Sequence, residues 1–524
     1  KQSGSTEITF ELPNIIVTRS SPLFISTKVN LEDYVNTEGE NYHILVPPVP
    51  SFVTDAVFVR YPAKWGDIAW SSTSWTSDQE SRDIKTLKLK LNQENVNPSI
   101  ALVIGKDLGY KLEMNKPIQN LSENELVYKI SLPREGDGQH LLYTKIQPKP
   151  FGIDYDEYGN LNVSYILAPS ESKQIIIEGY IFFDDIEHEI PSSFTPYLLK
   201  DGYWEFSDDT ERKRLTVYLR SNGINNEYPS MTSEEQAKTV KLLNDYVIDR
   251  LSPVTNIDSN IKSEIRNGAS NISTMLTSGA YPDDYTDLLM AVMRDLEIPS
   301  RMVLGYITGL NSYQKAGFFH TWVEYWDANN NQWKMLDPGL QDYFPTRFIN
   351  TQYDHVRLAV RVNNSITPNI SKFSTEEFKL LPAQNSISPY NEFDIRFNTI
   401  GVGKNLTKGA LIISNIGNKI VKLVDVKLQS KNELVKPLDF WNLKSIIPSE
   451  SSEIKVSFPV EPGDGDKIVA TFQDFEGNTI RKTVPVTYSI TTASPSNLIN
   501  LAISFIIFAI IYIVVTRIGK RKNG

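Results

Sequence analysis

Two runs in this 524-residue chain hold side chains able to cooperate in proton transfer: His320-Thr-Trp-Val-Glu-Tyr-Trp326 and Gln332-Trp-Lys-Met-Leu-Asp337. Between them lies Asp327-Ala-Asn-Asn-Asn331, a polar cluster of turn-forming residues, so the pattern predicts a β-hairpin. With Trp326 opposite Asn331, His320 stands opposite Asp337. Opposed Cβ atoms are about 4.5 to 5.5 Å apart, close enough for a carboxylate to accept an imidazole N–H and fix its tautomer. This supplies a base and its orienter, two members of a nucleophile, base and orienter system. The third is not a thiol, because the chain has no cysteine. The same absence excludes disulfides, thiolate zinc sites and iron–sulfur clusters.

Several elements could position such a pair. Thr232 or Ser233 in Met231-Thr-Ser-Glu-Glu-Gln caps a helix with acidic residues in its first turn, and Val240, Leu243, Val247 and Leu251 continue it at helical spacing. A second helical stretch is expected near Ile261 to Leu276. A third begins at Pro282, where Tyr285, Leu288, Leu289, Val292, Met293 and Leu296 form an apolar stripe, and it stops before Pro299. Strands follow at Arg301 to Ile307, Thr321 to Trp326 and Gln332 to Leu336.

Taken together, the helix Asp283 to Leu296, the run Arg294-Asp-Leu-Glu-Ile-Pro-Ser-Arg-Met-Val-Leu-Gly-Tyr306, the His320 run and Leu336-Asp-Pro338 resemble the transglutaminase-like domains of bacteria and archaea. The resemblance covers roughly Thr232 to Tyr343. The strand-rich stretch with Asp154 to Asn162 is similar to what often precedes such domains. The resemblance implies a papain-like α+β fold and acyl-transfer chemistry through a cysteine at the start of the central helix, twelve residues before Arg294. That position is Pro282. A proline ring has no nucleophile, whereas its fixed φ suits a first helical turn. Asp283 and Asp284 beside it are ordinary capping residues, and Ser278 and Tyr281 are the nearest hydroxyls in sequence. Glu297, where the family usually has Gly, and Gly339, where Thr often follows Asp-Pro, are lesser departures.

The rest of the chain reads as strands. From Thr6 to about Asn225, short Val/Ile/Leu/Tyr/Phe runs alternate with polar residues, which predicts antiparallel sandwiches. The expected division is 1–145 and 146–230 as β regions, 231–345 as the transglutaminase-like domain, and 346–390 as a linker. An immunoglobulin-like sandwich follows at 391–490, then a stalk at 491–497, a membrane span at 498–516 and a basic tail at 517–524. The fold class expected is thus multidomain and mainly β, with one α+β domain and one C-terminal transmembrane helix.

Leu498 to Thr516 is free of charge and, at about 1.5 Å per residue, would extend roughly 28 Å, enough for a bilayer core. Arg517, Lys520, Arg521 and Lys522 follow, which would keep that end cytoplasmic and the bulk of the chain outside the cell. The start at Lys1, without an apolar leader, fits a precursor whose signal peptide has been removed. Six Asn-x-Ser/Thr triplets, at Asn120, Asn162, Asn271, Asn363, Asn369 and Asn405, are candidate glycosylation acceptors. An exported chain without disulfides suits a prokaryotic, for instance archaeal, surface protein.

The 53 Lys+Arg against 63 Asp+Glu, net charge -10, argue against nucleic-acid binding. His43, His140, His188 and His355 show no metal-ligand spacing, and Asp354-His355 and Glu187-His-Glu189 read as surface polar pairs. Glu461 to Asp466 reads as a hairpin turn rather than a Ca²⁺ loop. No cofactor or metal is expected.

The function expected is that of a membrane-anchored surface protein whose transglutaminase-like domain keeps His320 and Asp337 as a vestigial dyad. It would act in binding or scaffolding toward envelope proteins or peptide segments. The alternatives are an active surface peptidase or acyltransferase using His320, Asp337 and a hydroxyl nucleophile, and a purely structural component with a filled cleft.

Overall fold

A computed structural model describes residues 35–486 except 39–40, 47–55, 72–74, 81, 91–99, 106–108, 184–189, 255–265, 308–316, 344–354, 369–376, 384–388, 404–405, 432, 440–444, 462 and 475–476. The chain is mainly β. Strands β1 (Val35–Glu38), β2 (Asn41–Val46), β3 (Ala56–Pro62), β4 (Asp67–Ser71), β5 (Trp75–Glu80), β6 (Ile84–Lys90) and β7 (Ile100–Gly105) form two sheets, ordered β1-β2-β7-β4 and β3-β6-β5. They close on Leu87, Leu89, Leu102 and Ile104.

A second sandwich follows from β8 (Gly109–Gln119), β9 (Leu126–Ser131), β10 (Gln139–Gln147), β11 (Gly152–Tyr155), β12 (Leu161–Leu167) and β13 (Ser172–Phe183). Its smaller sheet is ordered β11-β12-β9. Along β13 buried and half-buried residues alternate, the period of a strand with one face on a core.

The α+β unit comprises α1 (Asp209–Ser221), α2 (Ser233–Arg250), α3 (Ile272–Ser278), α4 (Pro282–Asp295), β14 (Ser300–Ile307), β15 (Phe318–Asp327), β16 (Gln332–Leu336), α5 (Pro338–Tyr343) and β17 (His355–Arg361). Its sheet is antiparallel in the order β16-β15-β14-β17. Strand β18 (Phe378–Pro382) then returns to the second sandwich and pairs with β8, completing the sheet β10-β13-β8-β18.

The last unit packs β19 (Phe393–Gly403), β20 (Leu406–Asn415) and β24 (Ser451–Phe458) against a sheet of β21 (Val421–Ser430), β22 (Glu433–Val435), β25 (Lys467–Asp474) and β26 (Thr479–Pro485). Strand β23 (Ser445–Ile446) also pairs with β21. Phe397, Leu411, Phe458 and Phe472 fill this core.

Several expectations are corrected. Residues 209–221 form a helix where strands are expected: the Asp208 side chain caps Thr210 N at 2.7 Å, but Leu215 and Leu219 are its only buried apolar residues, too few for a readable stripe. The 346–390 segment is no linker, since β17 and β18 are paired strands. A boundary at residue 145 would cut through β10. The second sandwich also shares its core with Tyr306, Val356 and Leu358 of the α+β unit and with Ile420 and Ile447 of the last unit. The second helical stretch is shorter than expected and is seen as α3, with residues 255–265 outside the described residues.

Helix α4 is buried on every side rather than along one stripe. Its polar residues are therefore partnered, as a low-dielectric setting requires. Asp284 accepts from Asn267 N (2.7 Å), Asn267 Nδ2 (2.9 Å), Gly268 N (3.3 Å) and Tyr281 N (3.0 Å). Asp287 accepts from Trp204 Nε1 at 3.0 Å and Arg266 Nε at 2.7 Å. Arg294, 1% exposed, donates to the carbonyls of Ser300 and Val362 at 2.8 and 2.6 Å and to that of Leu199, and burial pushes its guanidinium down to about 9.

Candidate functional site

Strand β17 is the edge of its sheet, and side chains of the second sandwich close its outer side. Gln139 Nε2 donates to Arg357 O and its Oε1 accepts from Arg357 N, both at 2.9 Å. Asn160 does the same for Val360, at 2.9 and 2.7 Å. Beside them lies a buried ionic cluster. Glu324 accepts from Arg301 Nε (2.7 Å) and Arg357 Nε (2.6 Å), and Asp137 accepts from Arg301 Nη2 (2.5 Å) and Arg134 Nη1 (2.6 Å). Burial alone would raise the Glu324 carboxyl, but the Arg357 and Arg301 guanidiniums outweigh it and bring it down to about 2. The strands that carry the dyad are thus fixed from outside the α+β unit.

The hairpin forms with a register two residues away from that expected. Asp327 pairs with Gln332, Trp326 with Trp333 and Val323 with Leu336. The turn moves because Asn331 takes the left-handed conformation (φ 49°) and the Asp327 carboxylate accepts from Asn329 N at 3.0 Å and Asn330 Nδ2 at 2.6 Å. An even shift leaves every side chain on its own face, so the expected contact survives. His320 Nε2 lies 2.6 Å from Asp337 Oδ2, with His320 6% and Asp337 1% exposed. Asp337 ends β16 and opens α5, where its Oδ1 accepts from Leu340 N at 2.8 Å.

A third member was not legible as one. His355, read from sequence as a surface residue, is 1% exposed, and its Nε2 lies 3.3 Å from the same Asp337 Oδ2. Pairing of β17 with β14 sets His355 opposite Ile307, and its ring meets Trp322 edge-on at 4.9 Å. Burial would raise the Asp337 carboxyl; the imidazoles of His320 and His355 instead hold it far below the usual carboxylate range. An ionised Asp337 only accepts, so both Nε2 atoms carry the proton and donate.

The start of α4 closes on this pair. A Cβ built at Gly339 would lie 3.5 Å from Pro282 O and 3.6 Å from Asp337 Oδ1, so Pro282 and the carboxylate flank the first turn of α5. Thr286 Oγ1 donates to Thr321 O at 3.0 Å, and Thr321 Oγ1 donates to Asp283 Oδ1 at 2.6 Å, tying α4 to the residue after His320. Asp283 and Asp284 are therefore engaged as hydrogen-bond acceptors. Ser278 is exposed on α3 and Tyr281 is the half-buried N-cap of α4. Among the described residues, no Ser, Thr or Tyr hydroxyl hydrogen-bonds to His320. The arrangement can hold and orient an imidazole whose Nδ1 has no protein partner among those residues.

The candidate glycosylation sites divide. Asn120 is fully buried, with Nδ2 donating to Asn124 O, Leu167 O and Ala168 O at 2.7, 3.1 and 3.1 Å, so as a glycan acceptor it is corrected to a structural residue. Asn162 is half-buried in β12, Asn271 and Asn363 are exposed, and Asn369 and Asn405 lie outside the described residues. So do His188, Asp354 and Leu498 to Thr516. No helix among the described residues is long and apolar enough to cross a membrane. In the acidic turn, Asp466 Oδ2 accepts from Gly463 N at 2.8 Å.

Residues 215–338 match the family model of the transglutaminase-like superfamily. They are a transglutaminase-like domain, to which the α4 start, His320 and Asp337 all belong. No curated protein matches the sequence. Among solved structures, the chain is similar to a cysteine protease candidate from Cytophaga hutchinsonii, at 12% identity over 55% of this chain and 94% of that one, TM-score 0.37. It is also similar to red sea bream transglutaminase, at 9% identity over 72% and 80% respectively, TM-score 0.24. Neither likeness adds to the family match.

Proposed function

We propose that this protein is a membrane-anchored surface protein whose transglutaminase-like domain binds rather than transforms its ligand. The observation that carries this reading is the contrast at one site: His320 and Asp337 are in hydrogen-bond contact at 2.6 Å, while the first residue of α4 is Pro282. A base and an orienter without a nucleophile cannot form an acyl intermediate. Loss of the nucleophile does not by itself abolish binding, so the surface beside the α4 start and the β15–β16 hairpin is read as the seat for a peptide segment of an envelope protein. The anchor is Leu498 to Thr516, with Arg517, Lys520, Arg521 and Lys522 on the cytoplasmic side and the bulk of the chain outside. The immunoglobulin-like unit at 391–490 holds the domain away from the membrane.

The test incubates the purified protein with casein and a labelled amine, and separately with an immobilised peptide library, comparing the native chain with His320→Ala. The expected result is no amine incorporation and no peptide cleavage, with a set of retained peptides whose binding weakens in the variant. Turnover by the native chain that His320→Ala abolishes would overturn the reading.

A further inference from the structure

Two sheet edges of the central region are finished in opposite ways. The outer side of β17 is closed by Gln139 and Asn160, as described above. The outer side of β9 has no such cover among the described residues. Leu126 is 37% and Val127 53% exposed, and Lys129 is exposed beyond them. Open edges of this kind are templates for pairing with another strand.

The direction of the backbone follows from one hydrogen bond. Leu132 N donates to Leu161 O at 2.9 Å, in the same register that sets Ser131 opposite Asn162. Hydrogen-bonded pairs alternate along an antiparallel ladder, so even-numbered residues of β9 bond to β12 and the N–H and C=O of Val127 point outward. No hydrogen bond among the described residues reaches them. The turn before β9 is rigid, because the buried Asn120 amide holds Asn124 O and its Oδ1 accepts from Ser122 N at 2.9 Å. That turn leaves Leu121 86% exposed and delivers Glu125 to the start of the strand.

Glu125 and Lys129 stand two residues on either side of Val127 and on its face of the strand. A two-fold axis through Val127 would therefore set each lysine opposite a glutamate, a pattern complementary to itself rather than to an arbitrary strand. Lys129 lies 3.7 Å from Asp154 on the solvent face, so its charge does not point into the sandwich and does not block the edge.

We propose that β9 is a self-association edge. A second copy of this chain adds its own β9 antiparallel to the first, with Val127 opposite the partner's Val127 and Lys129 opposite the partner's Glu125. The two three-stranded sheets then become one continuous sheet of six strands.

The test is the mass of the full chain in detergent solution by light scattering and sedimentation, over a wide concentration range. The native chain should form a dimer. Glu125→Lys and Lys129→Glu should each weaken it about tenfold or more through two like-charge contacts. The double variant should restore it, and an equimolar mixture of the two single variants should pair with each other. Val127→Pro, which removes the central N–H, should give monomer with an unchanged circular dichroism spectrum. A native chain that stays monomeric overturns the proposal. So does a dimer that survives Val127→Pro, or single-charge variants that fail to pair in mixture; capture of a strand from another protein in place of self-association would count against it equally.

Discussion

His320 and Glu324 lie four residues apart on β15 and share the same face of the strand. Around Glu324 each charge meets an opposite one: two guanidiniums on its own oxygens and Asp137 on the far side of Arg301. Around His320 the carboxylate is over-supplied, with two imidazoles on one Asp337 oxygen, and the His320 Nδ1 has no partner among the described residues. The Glu324 cluster is saturated, as buried charges in a low-dielectric setting require. The His320 site keeps a buried imidazole and its orienter, with an unused ring nitrogen, beside a helix start that carries no reactive atom. The difference is what the proposed function expects of a junction built for stability beside a binding site whose helix start carries Pro282.

The junction side of that comparison breaks most readily at Glu324. Glu324→Ala strands two buried guanidiniums without a counter-charge and should cost about 3 to 5 kcal/mol, read by denaturant unfolding. The pH dependence follows in sign. A carboxyl held down to about 2, against an ordinary 4.5, contributes stability that is complete above the ordinary value and is lost as pH falls toward the folded one. Acid unfolding should therefore flatten between those limits in Glu324→Gln, and an unchanged slope would remove Glu324 from the account.

A smaller effect is expected at the closed edge. Asn160→Ala removes two hydrogen bonds to Val360 and should cost about 2 kcal/mol, with faster hydrogen exchange confined to β17 and β14. If exchange rises equally throughout the molecule, the amide is not a local clasp.

The smallest effect has the opposite sign. Glu297 has φ 59° just past α4, where Ile298 N returns to Met293 O at 2.9 Å, a turn that favours glycine. Glu297→Gly should stabilise the domain by about 1 kcal/mol, seen as a raised melting temperature, without touching the site. A lower melting temperature would mean that the glutamate side chain has a compensating role.

Much of this was legible in the sequence for physical reasons. Helix α4 is recognisable because its apolar residues recur over three turns, although periodicity could not show that its polar face is also buried. The His320–Asp337 contact is recoverable because the two-residue error in register preserved the face of every side chain. His355 escaped because its contact depends on β17 pairing with β14 across a long connection, and no local spacing records that. Helix α1 escaped because it buries too little apolar surface. The linker assignment failed because β17 and β18 gain their partners from other parts of the chain, and the amides of Gln139 and Asn160 leave no pattern in composition.

The most direct test is to supply the missing component. Native chain, Pro282→Cys, Pro282→Cys with His320→Ala, and Ser278→Cys as an exposed control would each be incubated with an activated ester and followed by intact mass. The account predicts no acylation of the native chain, acylation of Pro282→Cys at least about tenfold faster than of Ser278→Cys at neutral pH, and loss of that advantage when His320 is removed. Acylation of the native chain that depends on His320 would contradict it, as would a thiol at position 282 no more reactive than the exposed control.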